Sequence, residues 1–214
     1  MTPREHPLIS IWTEPAPTIL QLCATNPGRL YFPLAAVWGA SYNMSLVLRR
    51  GFPAERLEKA EISSAWLIVG INVLFGAVFG IVVLWALSFL FAGLGRVLGG
   101  RGSARDVRTV LAWSSVPHLP NLLVAILVAG IGGLHLFTAA DAAGSPISAE
   151  PLRIAFFLSS FAFGIWAFVI GVAGLAAVMG FSPLRAIGVY LLGCLLILVL
   201  LFASLSAFMK LARG

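Results

Sequence analysis

The chain has 214 residues, 60% of them hydrophobic and only 10% charged, with a mean hydropathy of +1.00. A soluble domain carries about 25% charged residues; here the charges gather between long uncharged runs, so lipid is the solvent for most of the chain. The net charge of +6 and the pI near 10.2 lie beside apolar spans, which argues against nucleic acid and for anionic phospholipid as the partner.

Residues 1–16 read as an irregular tail, broken by Pro3, Pro7 and Pro15 and carrying acids, unlike a signal or transit peptide. Ile19, Leu20, Leu22 and Cys23 then give a short apolar face that Asn26-Pro27-Gly28 ends. This predicts a short helix lying at the membrane interface, or else a plain cytosolic helix. Residues 1–29 thus form an N-terminal segment, and residues 30–214 a membrane domain.

The first predicted span is 30–48, diluted by Pro33, Ser41, Asn43 and Ser45, and closed by Arg49 and Arg50. A charged link follows. Residues 62–95 then carry no charge at all, which makes about 51 Å of helix at 1.5 Å per residue. The hydrocarbon core is only about 30 Å thick. One long, protruding helix fits better than a hairpin, because the midpoint holds no polar turn chemistry beyond glycine. A glycine-arginine loop leads to a third span near 105–134, a polar loop to a fourth near 154–178, and the short link "MGFSP" to a fifth near 184–208. The expected fold is all-α: a five-span transmembrane bundle with one long second helix and a short N-terminal interfacial helix.

In the glycine-arginine loop, Arg96, Arg101, Arg105 and Arg108 are candidates for contact with lipid head groups. Ser103 and Asp106 have the spacing of a capping box. The alternative is a specific phosphate site on the N–H groups of Gly99, Gly100 and Gly102. Within the third span, Ser114, His118 and Asn121 share one helical face, with Ser115 beside them. Pro117 and Pro120 free the carbonyls of Trp113 and Val116, which serines, asparagine or water would satisfy. The face is either a packed kink or a polar path, with Asn72 of the second span as a further lining residue. Gly76 and Gly80 form a GxxxG pattern, and Gly164 and Gly171 lie on a small-residue stripe; both predict close helix packing.

No paired carboxylate lies in a span, and Cys23 and Cys194 lack metal or redox spacing. The sequence therefore points to no catalytic set, no metal and no cofactor; Asp106 is the one acid from which an enzyme reading would start. Lysines and arginines divide evenly, seven on each side of a five-span topology. The arginine-rich loop favours the N-terminal side as cytoplasmic.

Three stretches carry a resemblance: "EPAPTILQLCATNPGRLYFPLAAVWG", "GRVLGGRGSARDVRTVLAWSSVPHL" and "GFSPLRAIGVYLL". Together they resemble the bacterial branch of the Yip family, integral membrane proteins defined by the Yip-one domain, over residues 14–208. The most specific part is the LGG-x-GS loop followed by Trp113-Ser114-Ser115-Val116-Pro117. The resemblance implies five spans and a cytoplasmic N-terminus. Residues 75–80, "FGAVFG", are similar to a motif of the eukaryotic branch, whose acidic DL-x-GP segment and long N-terminal region this chain lacks. The function expected is that of a non-enzymatic scaffold of the inner membrane, binding anionic lipid and partner membrane proteins. The competing expectation is a small transporter or channel subunit. A five-span bundle is thin, which favours a homo-oligomer.

Overall fold

The computed structural model describes residues 6–51, 64–137 and 149–211. The charged link at 52–63 and the acidic loop at 138–148, with Asp141, lie outside the described residues. The described residues form helices and no strand. They are α1 (Pro7–Thr13), α2 (Pro15–Thr25), α3 (Tyr31–Arg50), α4 (Ala65–Val97), α5 (Ala104–Trp113), α6 (His118–Gly132), a short 3-10 turn (Gly133–Phe137), α7 (Ala149–Met179) and α8 (Pro183–Leu211).

Two of these elements correct the reading of the N-terminus. The tail is helical from Pro7, because a proline at the first helical position loses only an N–H that has no helical partner anyway. Ile11 is fully buried, and Thr18 donates to the Ser10 hydroxyl at 3.0 Å, tying α2 to α1. The apolar face of α2 is spent on protein rather than on lipid: Ile19 and Leu22 are buried, and Ile19 fills the space that a side chain at Gly174 of α7 would need.

The apolar core is in two parts. One joins α1 and α2, the end of α4, α5, the end of α7 and the start of α8. The other joins the end of α3, the start of α4, α6, the 3-10 turn and the start of α7. At the first end the chain between α2 and α3 is fastened to α5. Tyr31 and Thr109 share a hydrogen bond at 2.8 Å, Thr109 also meets the Pro27 carbonyl at 3.1 Å, and the Trp113 indole donates to Arg29 at 3.2 Å. This holds Leu30 in a left-handed backbone (φ 59°), a conformation that costs a leucine about 1 kcal/mol or more.

From residue 65 onward the uncharged run is one uninterrupted helix, α4, extended to Val97. It ends in a Schellman motif: Gly99 has φ 87°, its N–H meets the Arg96 carbonyl, and Gly100 N–H meets Gly95 at 2.8 Å. Gly180, with φ 70°, ends α7 the same way, and α8 starts three residues later as its antiparallel neighbour.

Helices α4, α7 and α8 are long and apolar enough to cross a membrane, and α5 with α6 forms a fourth candidate, bent by 41° at its break. The chain is thus a helical membrane protein with three to four candidate spans by length and composition. The 20 residues of α3 fall below that apolar composition. Two of their polar side chains, Ser41 and Asn43, are paired with other helices, as the next section describes.

Candidate functional site

The bend between α5 and α6 organises the polar residues of this helix pair. The carbonyls that the prolines free are taken by backbone N–H groups in tight turns: Trp113 accepts from Val116 at 3.2 Å, and Val116 accepts from Leu119 at 3.0 Å. The side-chain donors expected for them go elsewhere. Ser114 and Ser115 both donate to the Leu111 carbonyl, at 2.9 and 3.0 Å.

Asn121, only 1% exposed, is a three-helix junction. Its amide donates to Ser41 of α3 at 2.8 Å, and its oxygen accepts from Ser160 and Ser159 of α7 at 3.1 and 3.4 Å. One of these partners, Ser41, comes from the helix that polar residues dilute most, α3. Next to this junction lies a cavity of about 260 Å³, lined by Ser41, Tyr42, Ser45, Arg49, His118 and Asn121 among others. Arg49 stands at its end, with its guanidinium 4.6 Å above the Phe157 ring. His118 borders the cavity, and its buried Nδ1 has no hydrogen-bond partner.

Asn72 is not part of this group. It faces α3 at another place, where the Asn43 amide donates to both its carbonyl and its side-chain oxygen at 2.9 Å, and its own amide donates to Ile68. About one and two helical turns away, Gly76 and Gly80 meet Gly39 of α3 backbone to backbone. A Cβ on Gly80 would lie 2.1 Å from the Ala35 carbonyl, and one on Gly76 would lie 2.5 Å from the Gly39 carbonyl. Gly171 packs under the Tyr190 hydroxyl. Gly164 makes no such approach: nothing lies within 4 Å of where its Cβ would be.

The four arginines separate into two kinds. Arg96, Arg101 and Arg105 are exposed at the end of the bundle where α1 and α2 pack, and Arg185 at the start of α8 lies beside Gly99. Arg108 is buried, 8% exposed, which corrects its reading as a head-group contact. Its guanidinium sits 3.4 Å over the Trp85 ring and 5.4 Å from that of Phe89, and its Nε donates to Ser88 at 3.3 Å. The loop itself is firmly held. Arg101 N–H bonds Met179 at 3.1 Å, and Gly102 abuts Val178 and Met179. Ser103 and Asp106 form the capping box, with Asp106 N–H on the Ser103 hydroxyl and Ser103 N–H on the Asp106 carboxylate at 2.9 Å. The N-terminus of α5 thus carries its own carboxylate, which leaves little for a phosphate there.

A family model described as the Yip1 domain matches residues 9–205. The chain belongs to the Yip1 domain family. No curated protein and no solved structure matches it. The matched region begins within α1 and runs on through α2 to most of α8.

Sequence reasoning missed three contributors in this Yip1 domain: Ser41, Gly39 and the Trp85 platform for Arg108. A signal existed for the first two. Gly39, Ser41, Asn43 and Ser45 are small or polar residues within one apolar stretch, as a helix surrounded by other helices requires. The Trp85 contact had none, because the two residues come together only through the packing of α5 on α4.

Proposed function

We propose that this Yip1-domain protein is a non-enzymatic, five-span scaffold of the bacterial branch. It sits in the inner membrane with its N-terminus in the cytoplasm. Its arginine-rich end binds anionic phospholipid head groups and partner membrane proteins. The observation that carries this reading is the fixed basic end: exposed Arg96, Arg101 and Arg105, with Arg185 beside them, on a loop locked by a capping box and the Met179 contact. Apolar Val97 and Leu184, 81% and 77% exposed, flank the arginines, which suits a surface at the lipid boundary. In contrast, the polar groups inside the bundle mostly spend their bonds on one another.

The same reading makes α3 the first span. Twenty residues give about 30 Å of helix, and Ser41 and Asn43 are paired inside the bundle, so α3 needs less apolar character than a helix facing lipid. The far half of α8 is exposed, including Leu198 and Phe202, and offers a face for a second copy of the chain.

The test uses the purified protein in nanodiscs of phosphatidylcholine and phosphatidylglycerol, with retained lipid counted by native mass spectrometry. At about 1 kcal/mol per arginine, the triple variant Arg96→Ala/Arg101→Ala/Arg105→Ala is expected to lose phosphatidylglycerol preference by roughly 10²-fold. Unchanged preference in that variant contradicts the proposal. A second reading, a transporter or channel path, draws on the cavity that runs from Arg49 to His118. It ranks below the scaffold because Asn121, the centre of that path, has both ends of its amide engaged in holding helices together.

A further inference from the structure

His118 also borders a second, larger cleft of about 440 Å³, set between α3, α4, the α5–α6 bend, α7 and α8. That volume is in the range of small-molecule sites. Its walls are apolar and aromatic, and no Asp, Glu, Lys or Arg lines it. Trp38 and Tyr42 stack at 5.7 Å on one side, and Tyr190 stands edge-on to Phe91 and Phe168 on another.

Three polar groups open into this cleft with hydrogen-bonding capacity left over. His118 Nδ1 is buried without a partner. The hydroxyls of Tyr42 and Tyr190 make no hydrogen bond among the described residues. A tyrosine hydroxyl can donate or accept, an imidazole nitrogen does one or the other according to its tautomer, and a polar atom left unpaired in an apolar site is costly. The cleft therefore suits an uncharged ligand that brings polar atoms of its own, and carbonyl acceptors can be met by both tyrosine hydroxyls and by the Nδ1–H tautomer of His118.

Depth narrows the class further. Gly80 and Gly164, which border the cleft, lie near the midpoints of α4 and α7, each roughly 20 Å or more from the helix ends at 1.5 Å per residue. The half-thickness of the hydrocarbon is about 15 Å. Ester carbonyls of ordinary bilayer lipids lie at the interface, far from His118. A ligand that reaches these donors must carry its acceptors into the mid-plane without charge, on a ring that suits the aromatic walls.

We infer that this cleft is a binding site for a lipid-soluble quinone, its ring held among Trp38, Tyr42 and Tyr190 and its carbonyl oxygens accepting from the tyrosine hydroxyls and His118. The inference is independent of the basic end.

The experiment places the full chain in phospholipid nanodiscs and labels it with a photoreactive azido-benzoquinone bearing a short alkyl tail. Adducts are mapped by mass spectrometry. The expected adducts fall on the Trp38–Tyr42 and Tyr190–Ile197 peptides, and excess decylubiquinone removes them while dioleoylglycerol does not. Gly164→Leu fills the cleft from a position where a Cβ meets open space, and should cut labelling about tenfold. Gly70→Leu, equally unobstructed but outside the cleft, should leave it unchanged. His118→Leu removes one donor without filling the cleft and should weaken labelling severalfold, with His118→Gln restoring it. Labelling that is spread evenly over the lipid-facing helices, that survives Gly164→Leu, or that dioleoylglycerol competes equally would overturn the inference.

Discussion

Arg108 shows how far a side chain's type can mislead about its place. In the sequence it is the fourth arginine of a basic loop. In the fold it is nearly one turn further along α5 than Arg105, where the packing of α5 on α4 gives it an indole face and a serine hydroxyl. Arg108→Ala should therefore lower unfolding stability in mild detergent by about 1–2 kcal/mol, whereas Arg101→Ala should leave it unchanged. Arg108→Lys should recover only part, since an ammonium does not stack as a planar guanidinium does. Equal stability of the two alanine variants would refute the assignment. Cys23 gives a prediction in pH. Burial pushes its thiol from the usual range up to about 11. The folded chain holds that proton more tightly than the unfolded one, so the contribution to stability is whole below the ordinary thiol value and is lost as pH rises through 11. In a Cys194→Ser background at pH 8, iodoacetamide should modify Cys23 about tenfold or more slowly in the folded than in the denaturant-unfolded chain. Equal rates would count against its burial.

At the scale of elements, α4 and the bent third span show what was legible. The length of α4 followed from an uncharged run and the absence of turn chemistry. The kink followed from two prolines. The means of satisfying it did not follow, since a proline announces which carbonyls lose their donors but not which backbone N–H turns toward them. The glycine seam was half legible: GxxxG on α4 was visible, but its counterpart, Gly39, depends on the register between α3 and α4. That register predicts a steep dependence on size. Gly80→Leu and Gly39→Leu push side chains into backbone at under 3 Å and should cost about 3 kcal/mol or more, read as loss of the monodisperse peak in size-exclusion chromatography. Gly93→Ala, with nothing within 4 Å, should be neutral. If all three variants behaved alike, the α3–α4 contact would be wrong.

For the whole molecule, hydropathy identifies spans that face lipid and undervalues a helix that other helices surround. That is why α3 stands out less by composition than by position, with Ser41, Asn43 and Gly39 all engaged with neighbours. The even division of basic residues likewise says nothing about orientation. The fold adds a physical link, because α1 and α2 pack at the same end of the bundle as the arginine loop. Asn121→Leu should loosen the bundle by about 1 kcal/mol, in line with interhelical hydrogen bonds in membranes, and should not alter lipid preference at the basic end. A variant that kept full stability but lost lipid preference would reverse the roles assigned to the two regions.

The central claim is that the hydrogen-bonded polar groups inside the bundle are structural and that anionic phospholipid binds at the basic end. Cysteine accessibility in native membranes tests it most directly. In a background lacking Cys23 and Cys194, single cysteines replace Ser41, Ser45, Ser114 and Ser160, with Arg101→Cys as the control. The account predicts labelling of position 101 from the cytoplasmic side by a small impermeant thiol reagent, and silence at the buried Ser41 and the half-buried Ser45, Ser114 and Ser160. Labelling that runs through positions 45, 41 and 114 would mean a water-filled path past His118, and the scaffold reading would give way to a transporter.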